Sequence, residues 1–275
     1  MEIGVFAKTF AGEHPDAVFA QCRAAGFSAV QYNMACSGLG PLPTKIPDGA
    51  ILEIGEAAQA HQIQISAISA TYNMIDPKAE RRNAGRAAFA QIAQCAADLG
   101  VSLLTVCTGS MDVENQWRAH PDNSNPASWD EMCREFDLLL EVANRHDVLI
   151  GVEPEPANVV SCATKAARLL DRFSSERIRI VFDPANLVEQ MPFSRHRETI
   201  DGALQLLGPS IALVHAKDWF DDGRVAPAGK GVLDWEHILS GLVGMKFSGP
   251  LIAHGMAAKD APGVSDYLTN QVGKL

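Results

Sequence analysis

Apolar positions along the chain fall into two alternating patterns. Short, nearly continuous apolar runs occur at residues 2–7 (EIGVFA), 29–33 (AVQYN), 65–72 (ISAISATY), 103–109 (LLTVCTG), 149–155 (LIGVEPE), 178–186 (IRIVFDPAN), 211–219 (IALVHAKDW) and 250–255 (PLIAHG). Runs of this length and continuity are the pattern of parallel strands covered on both faces. Between them lie longer stretches with helical spacing, at 15–25, 48–61, 78–99, 128–145, 164–173, 195–207, 235–243 and 264–272. Pro15 opens the first and Gly26 closes it, while SWDE at 128–131 reads as a capping box.

Eight strand-then-helix units in 275 residues predict a single-domain α/β protein, a (β/α)8 TIM barrel, since that fold takes ~250 residues. A doubly wound open sheet is the competing architecture. It is expected to show a Gly-rich fingerprint after its first strand, and AKTFAGEHP is not one. No linker or low-complexity tract divides residues 1–275.

Composition narrows the classes further. A formal charge of −10 argues against a nucleic-acid partner, and no apolar run is long enough to span a bilayer. The N-terminus lacks the basic start and apolar stretch of a signal peptide, and the six scattered cysteines read as reduced thiols, so a cytoplasmic protein is expected.

In a barrel of this kind the active site forms at the C-terminal ends of the strands. The fifth run delivers Glu153 and Glu155 there, the sixth Asp183 and Asn186, the seventh His215, Lys217 and Asp218, and the eighth His254. Carboxylate and imidazole donors together suit one divalent ion such as Mn, Co, Zn or Mg. Pro154 is expected to take the chain out of its strand, leaving Glu153 as the ligand and Glu155 on the loop. An Asp after a strand is also a common helix N-cap, so Asp183 before Pro184 carries both readings. The long segment 118–131 (RAHPDNSNPASWDE) offers Arg118 and His120 as substrate contacts. Asn73 and Asn158 are further candidates for hydrogen-bonding a substrate, and Lys217 for steadying an enolate. GKG at 229–231 reads as a turn before an Asp234 N-cap, not as a phosphate loop.

The segments GVEPEPANV, FDPANL, VHAKD, AGKGVLDW and GPLIAHG resemble the sugar phosphate isomerase/epimerase superfamily, the xylose-isomerase-like barrels. The resemblance implies one divalent metal held by Glu, Asp, His and a second Glu. The first three correspond to Glu153, Asp183 and His215; the fourth falls at His254, where this chain has His instead of Glu. It also implies a sugar or keto-sugar substrate and a homo-oligomer. The implied activity is isomerisation or epimerisation by proton abstraction beside a metal-polarised carbonyl, with Glu153, His120 and Lys217 as candidate catalytic groups and Asn186 as a substrate contact. The change at position 254 keeps two alternatives open: a metal-dependent lyase or hydratase on oxidised sugars or glycosides, and a sugar-binding barrel without catalysis. A nuclease, which shares the barrel, needs a three-metal cluster and more histidines at the mouth; of the eight present, His14, His61, His146, His196 and His237 fall in or near predicted helices or the first loop.

Overall fold

The computed structural model describes all 275 residues. Eight parallel strands close into a ring: β1 (Ile3–Phe6), β2 (Ala29–Tyr32), β3 (Gln64–Ser69), β4 (Leu103–Val106), β5 (Leu149–Val152), β6 (Ile178–Phe182), β7 (Ile211–Trp219) and β9 (Leu251–Ala253). Neighbours pair in chain order, β7 pairs β9, and the β1–β9 pairing (Gly4 opposite Ile252) completes the circle. A ninth strand, β8 (Val225–Pro227), is absent from the sequence-based expectation; it pairs antiparallel with the end of β7 outside the ring.

Helices surround the ring: α1 (Pro15–Ala24), α2 (Asp48–Ala60), α3 (Ala79–Asp98), α4 (Pro126–His146), α5 (Ala163–Phe173), α6 (Pro184–Val188), α7 (His196–Leu207), α8 (Trp235–Gly244) and α9 (Ala261–Val272). Ala67, Leu103, Val181, Leu213 and Ile252 form a separate small cluster inside the barrel, and a much larger one joins strands to helices. Side-chain alternation places Leu213, His215 and Lys217 on the inner face of β7. Val214 and Ala216 join the larger cluster.

Two local expectations are corrected. The helix α4 starts at Pro126 with Asn125 at its N-cap, so Ser128 lies inside the first turn. Its hydroxyl donates to the Asp122 carbonyl at 2.7 Å and caps nothing. The sixth run ends as a strand at Phe182; Asp183–Asn186 turn into α6.

The hairpin made by β7 and β8 has a clear cause. The fully buried Asp218 carboxylate accepts from the backbone N–H groups of Trp219, Gly229 and Leu233, pinning the loop. A side chain at Gly231 would collide with the Trp219 carbonyl and the Asp218 carboxylate, so GKG is a packed turn. Asp234 accepts from His237 N–H at 3.1 Å and caps α8, as expected.

Candidate metal centre and substrate cavity

Each of four strand ends contributes one side chain to the same point. Glu153, Asp183, His215 and His254 each bring a ligand atom to within 4.8 Å of the others. They follow β5 and β6, lie on β7 and follow β9, so the barrel's closure is what gathers them. The strand β5 ends at Val152 and Glu153 N–H still donates to the Val106 carbonyl, which fixes where its carboxylate begins.

Asp183 holds both roles that its sequence context allows. Its Oδ1 accepts from Ala185 and Asn186 N–H at 2.9 and 3.1 Å, capping α6. Its Oδ2 faces inward, 3.1 Å from His254 Nε2 and 3.2 Å from Lys217 Nζ. Burial opposes ionisation of this carboxyl, but Lys217, His254 and His215 together outweigh it and hold the group well below the usual carboxylate range. For Lys217, burial works against the charge, and Asp183, Glu153 and Glu155 together raise its pKa above the ordinary lysine value.

The donor set fits a cation. His215 Nε2 lies 2.7 Å from Gln31 Oε1, and Gln31 Nε2 donates to Thr105 Oγ1 at 3.0 Å. In this amide orientation Nε2 carries the imidazole proton, leaving Nδ1 as a lone pair. That Nδ1 is buried without a hydrogen-bond partner and lies 3.1 Å from Glu153 Oε1. Two electron-pair donors facing each other at that distance are matched by a positive ion between them. The rings of His215 and His254 sit 4.4 Å apart, and burial followed by His215 lowers the pKa of His254, favouring the neutral imidazole a metal needs.

Above the cluster is a cavity of about 430 Å³ whose walls include Gln31, Cys107, Glu153, Glu155, His215, Lys217 and His254. Its volume is in the range of small-molecule sites. As Pro154 suggested, the chain leaves the strand before Glu155, whose N–H donates to the Val160 carbonyl. Burial and the neighbouring Glu153 lift the Glu155 carboxyl to about 7.

Other sequence candidates are placed elsewhere. Asn186 Nδ2 donates to Glu153 Oε1 at 2.9 Å and its Oδ1 accepts from Lys217, so it braces two site residues without lining the cavity. Asn158 spends its amide on Gly109 N–H and the Gln116 carbonyl, and Asn73 on Ser110 and Ile75; both stitch rim loops together. Arg118 is exposed and pairs with Asp112 and Glu114. His120 Nδ1 accepts from Asp122 N–H and its ring borders a separate small hollow. None of these last four reaches the central cavity. Conversely, Gln31, Thr105, Gln116 and Trp117 line it and were not singled out from the sequence. For Gln31 a signal existed: it is one polar residue inside an apolar strand run.

The fold and this site define a class. A family model for the xylose isomerase-like TIM barrel matches residues 19–266, and the chain belongs to that family. Among solved structures, it is similar to the 3-keto-D-glucoside 4-epimerase YcjR from E. coli (TM-score 0.79, 17% identity, covering 98% of this chain and 99% of that one). It is also similar to a D-tagatose 3-epimerase-like protein (0.77, 16%, 100% and 99%) and to the IOLI protein with a bound zinc atom (0.75, 17%, 100% and 99%). Among curated protein sequences there is no match. No helix is long and apolar enough to cross a membrane.

Proposed function

We propose that the protein is a divalent-metal-dependent isomerase or epimerase of a sugar or keto-sugar, with Glu153, Asp183, His215 and His254 holding one Mn, Co, Zn or Mg ion. The observation that carries this reading is the convergence of those four donors within 4.8 Å, three of them (Glu153, His215 and His254) on the wall of a cavity that also holds Glu155 and Lys217. The names of the similar structures, sugar epimerases among them, support it.

A bound divalent ion supplies Lewis acidity, polarising a carbonyl and steadying the negative charge that grows on it. The chain supplies the rest. Glu155, with its carboxyl near 7, is matched to taking a proton from the carbon beside a carbonyl at neutral pH. This role passes to Glu155 from Glu153, which is held as a ligand, and from His120, whose ring lies outside the cavity. The ammonium of Lys217 faces the same space and offsets negative charge developing on a substrate oxygen. Glu153 and Asp183 remain ionised to hold the cation, and Gln31 holds the His215 ring in orientation. Phe6, Leu42 and Trp117 supply apolar wall to the cavity.

A lyase acting on an oxidised sugar is the second reading. One observation favours it: an imidazole, that of His254, stands where an epimerase of this family would place its second proton-passing carboxylate. Proton abstraction would then be followed by loss of a β-substituent. The test is incubation of the metal-loaded protein with keto-sugars in deuterated water. Deuterium at the carbon beside the carbonyl in a product of otherwise unchanged mass supports the isomerase; a product lighter by water or an aglycone supports the lyase. No exchange with any keto-sugar, at stoichiometric metal, refutes both.

A further inference from the structure

A second cavity of about 380 Å³ adjoins the metal cavity, and Leu42 and Gln116 border both. The loop carrying Gln116 is built to hold its shape. Asp112 Oδ1 accepts from the N–H groups of Glu114 and Asn115, Asn115 Oδ1 accepts from Trp117 N–H, and the Gln116 carbonyl accepts from Asn158 Nδ2. Arg81 reaches from α3 to the Val113 carbonyl at 2.7 Å and to Asp76, tying the floor of the second cavity to that loop. The two residues the loop presents differ in character. The Gln116 side chain makes no hydrogen bond within the protein, and Trp117, 51% exposed, puts an indole on the wall of the metal cavity.

An exposed indole beside the free Gln116 amide is the chemistry that receives a pyranose. The apolar C–H face of the ring packs on the aromatic plane and its hydroxyls reach the polar groups. The metal cavity already accounts for one sugar ring. We propose that the substrate is a glycoside: the oxidised ring sits over the metal donors, and a second sugar ring, joined through the glycosidic oxygen, packs against Trp117 and crosses the Leu42–Gln116 boundary into the cavity of Asp76, Arg81 and Asn115. This rests on the proposed sugar chemistry for the location of the first ring, and adds the part of the substrate that selects it.

The experiment is calorimetric binding to the metal-loaded protein of a keto-hexose and of disaccharides in which one ring carries the same ketone. At least one disaccharide is expected to bind ten-fold or more tightly than the keto-hexose. Trp117→Ala should weaken that disaccharide at least ten-fold more than it weakens the monosaccharide, and Trp117→Phe, which keeps an aromatic face, should retain most of the preference. Because Trp117 lies on the surface of the loop, both variants are expected to unfold at the parent temperature. Equal affinity for one-ring and two-ring ligands overturns the proposal, as does an equal loss for both in Trp117→Ala. The proton-exchange assay fails independently. Disaccharide preference without exchange retires the isomerase and lyase readings and keeps the second subsite. Exchange on the keto-hexose with no disaccharide preference retires the subsite alone.

Discussion

Replacing Gln31 by Leu removes the acceptor that holds the proton of His215 on Nε2. The bond is 2.7 Å long and lies between residues that are 4% exposed each, so water does not replace it. An Nε2–H left unpaired there costs about 1–3 kcal/mol. The imidazole has an escape: the proton moves to Nδ1, 3.1 Å from Glu153 Oε1, where it finds an acceptor. That relief comes at the metal's expense, because the incoming ion must displace a proton from the atom it binds. Loss of such an orienting partner weakens metal binding by about 10–100-fold, or about 1.4–2.7 kcal/mol. The assay is competition against a chelator of known affinity, with ¹⁵N spectra of the imidazoles in metal-free protein reporting which ring nitrogen is protonated. Gln31→Glu keeps an acceptor oxygen and should bind metal at least as tightly as the parent. An unchanged affinity in Gln31→Leu, or a parent spectrum with His215 protonated on Nδ1, refutes the reasoning.

The double duty of Asp183 separates in two variants. Asp183→Asn keeps an oxygen for the N–H groups of Ala185 and Asn186, whereas Asp183→Ala loses the cap, so the Ala variant should be less stable than the Asn variant by about 1 kcal/mol in urea unfolding, while both lose stoichiometric metal in elemental analysis. The Glu155 carboxyl, raised to about 7, is protonated below that pH, so the exchange rate should climb as pH rises, with a midpoint at or below about 7 once a cation favours the carboxylate. Glu155→Gln should abolish that limb in a pH–rate profile. Asp234 is a depressed carboxyl, held down first by the His237 N–H it accepts from, with Arg197 assisting against burial. Its contribution is therefore present above the unfolded carboxylate range and lost as pH falls through the folded value. Asp234→Ala should cost about 1 kcal/mol at neutral pH, and the gap to the parent should narrow on acidification below about pH 4.

The barrel and its four donors are legible in the sequence for one reason. A parallel strand in this fold is apolar on both faces until it reaches the mouth, so the first polar residue marks both the strand's end and the site. Glu153 and His254 obey that rule, Asp183 follows the end of a strand interrupted only by Arg179, and His215 is the first polar residue of a strand that runs on to Trp219. Gln31 breaks it: it sits within β2, its inward face shows only in the closed ring, and its partner is 184 positions away. The rim is harder still. Arg118, His120, Asn73 and Asn158 have the residue types that bind sugars, but the same amides, guanidinium and imidazole also satisfy loop backbone and neighbouring carboxylates, and here they do that. Which use prevails depends on how loops 70–78 and 107–125 pack together, a long-range fact with no local pattern. The β8 strand escaped notice because three residues between two turns carry no periodicity; its cause, the buried Asp218 carboxylate, is visible only once the loop is folded over it.

The metal donors all come from residues 153–254, whereas Leu42, Asp76, Arg81, Gln116 and Trp117 all precede α4. In the assignment proposed above, reactivity and recognition are written in opposite halves of one gene product. A chimaera joined within α4 would inherit its chemistry from one parent and its choice of ligand from the other. The Gln31–His215 hydrogen bond and the bonds of Asn158 to Gly109 and Gln116 are polar links between halves that such a hybrid must carry across intact.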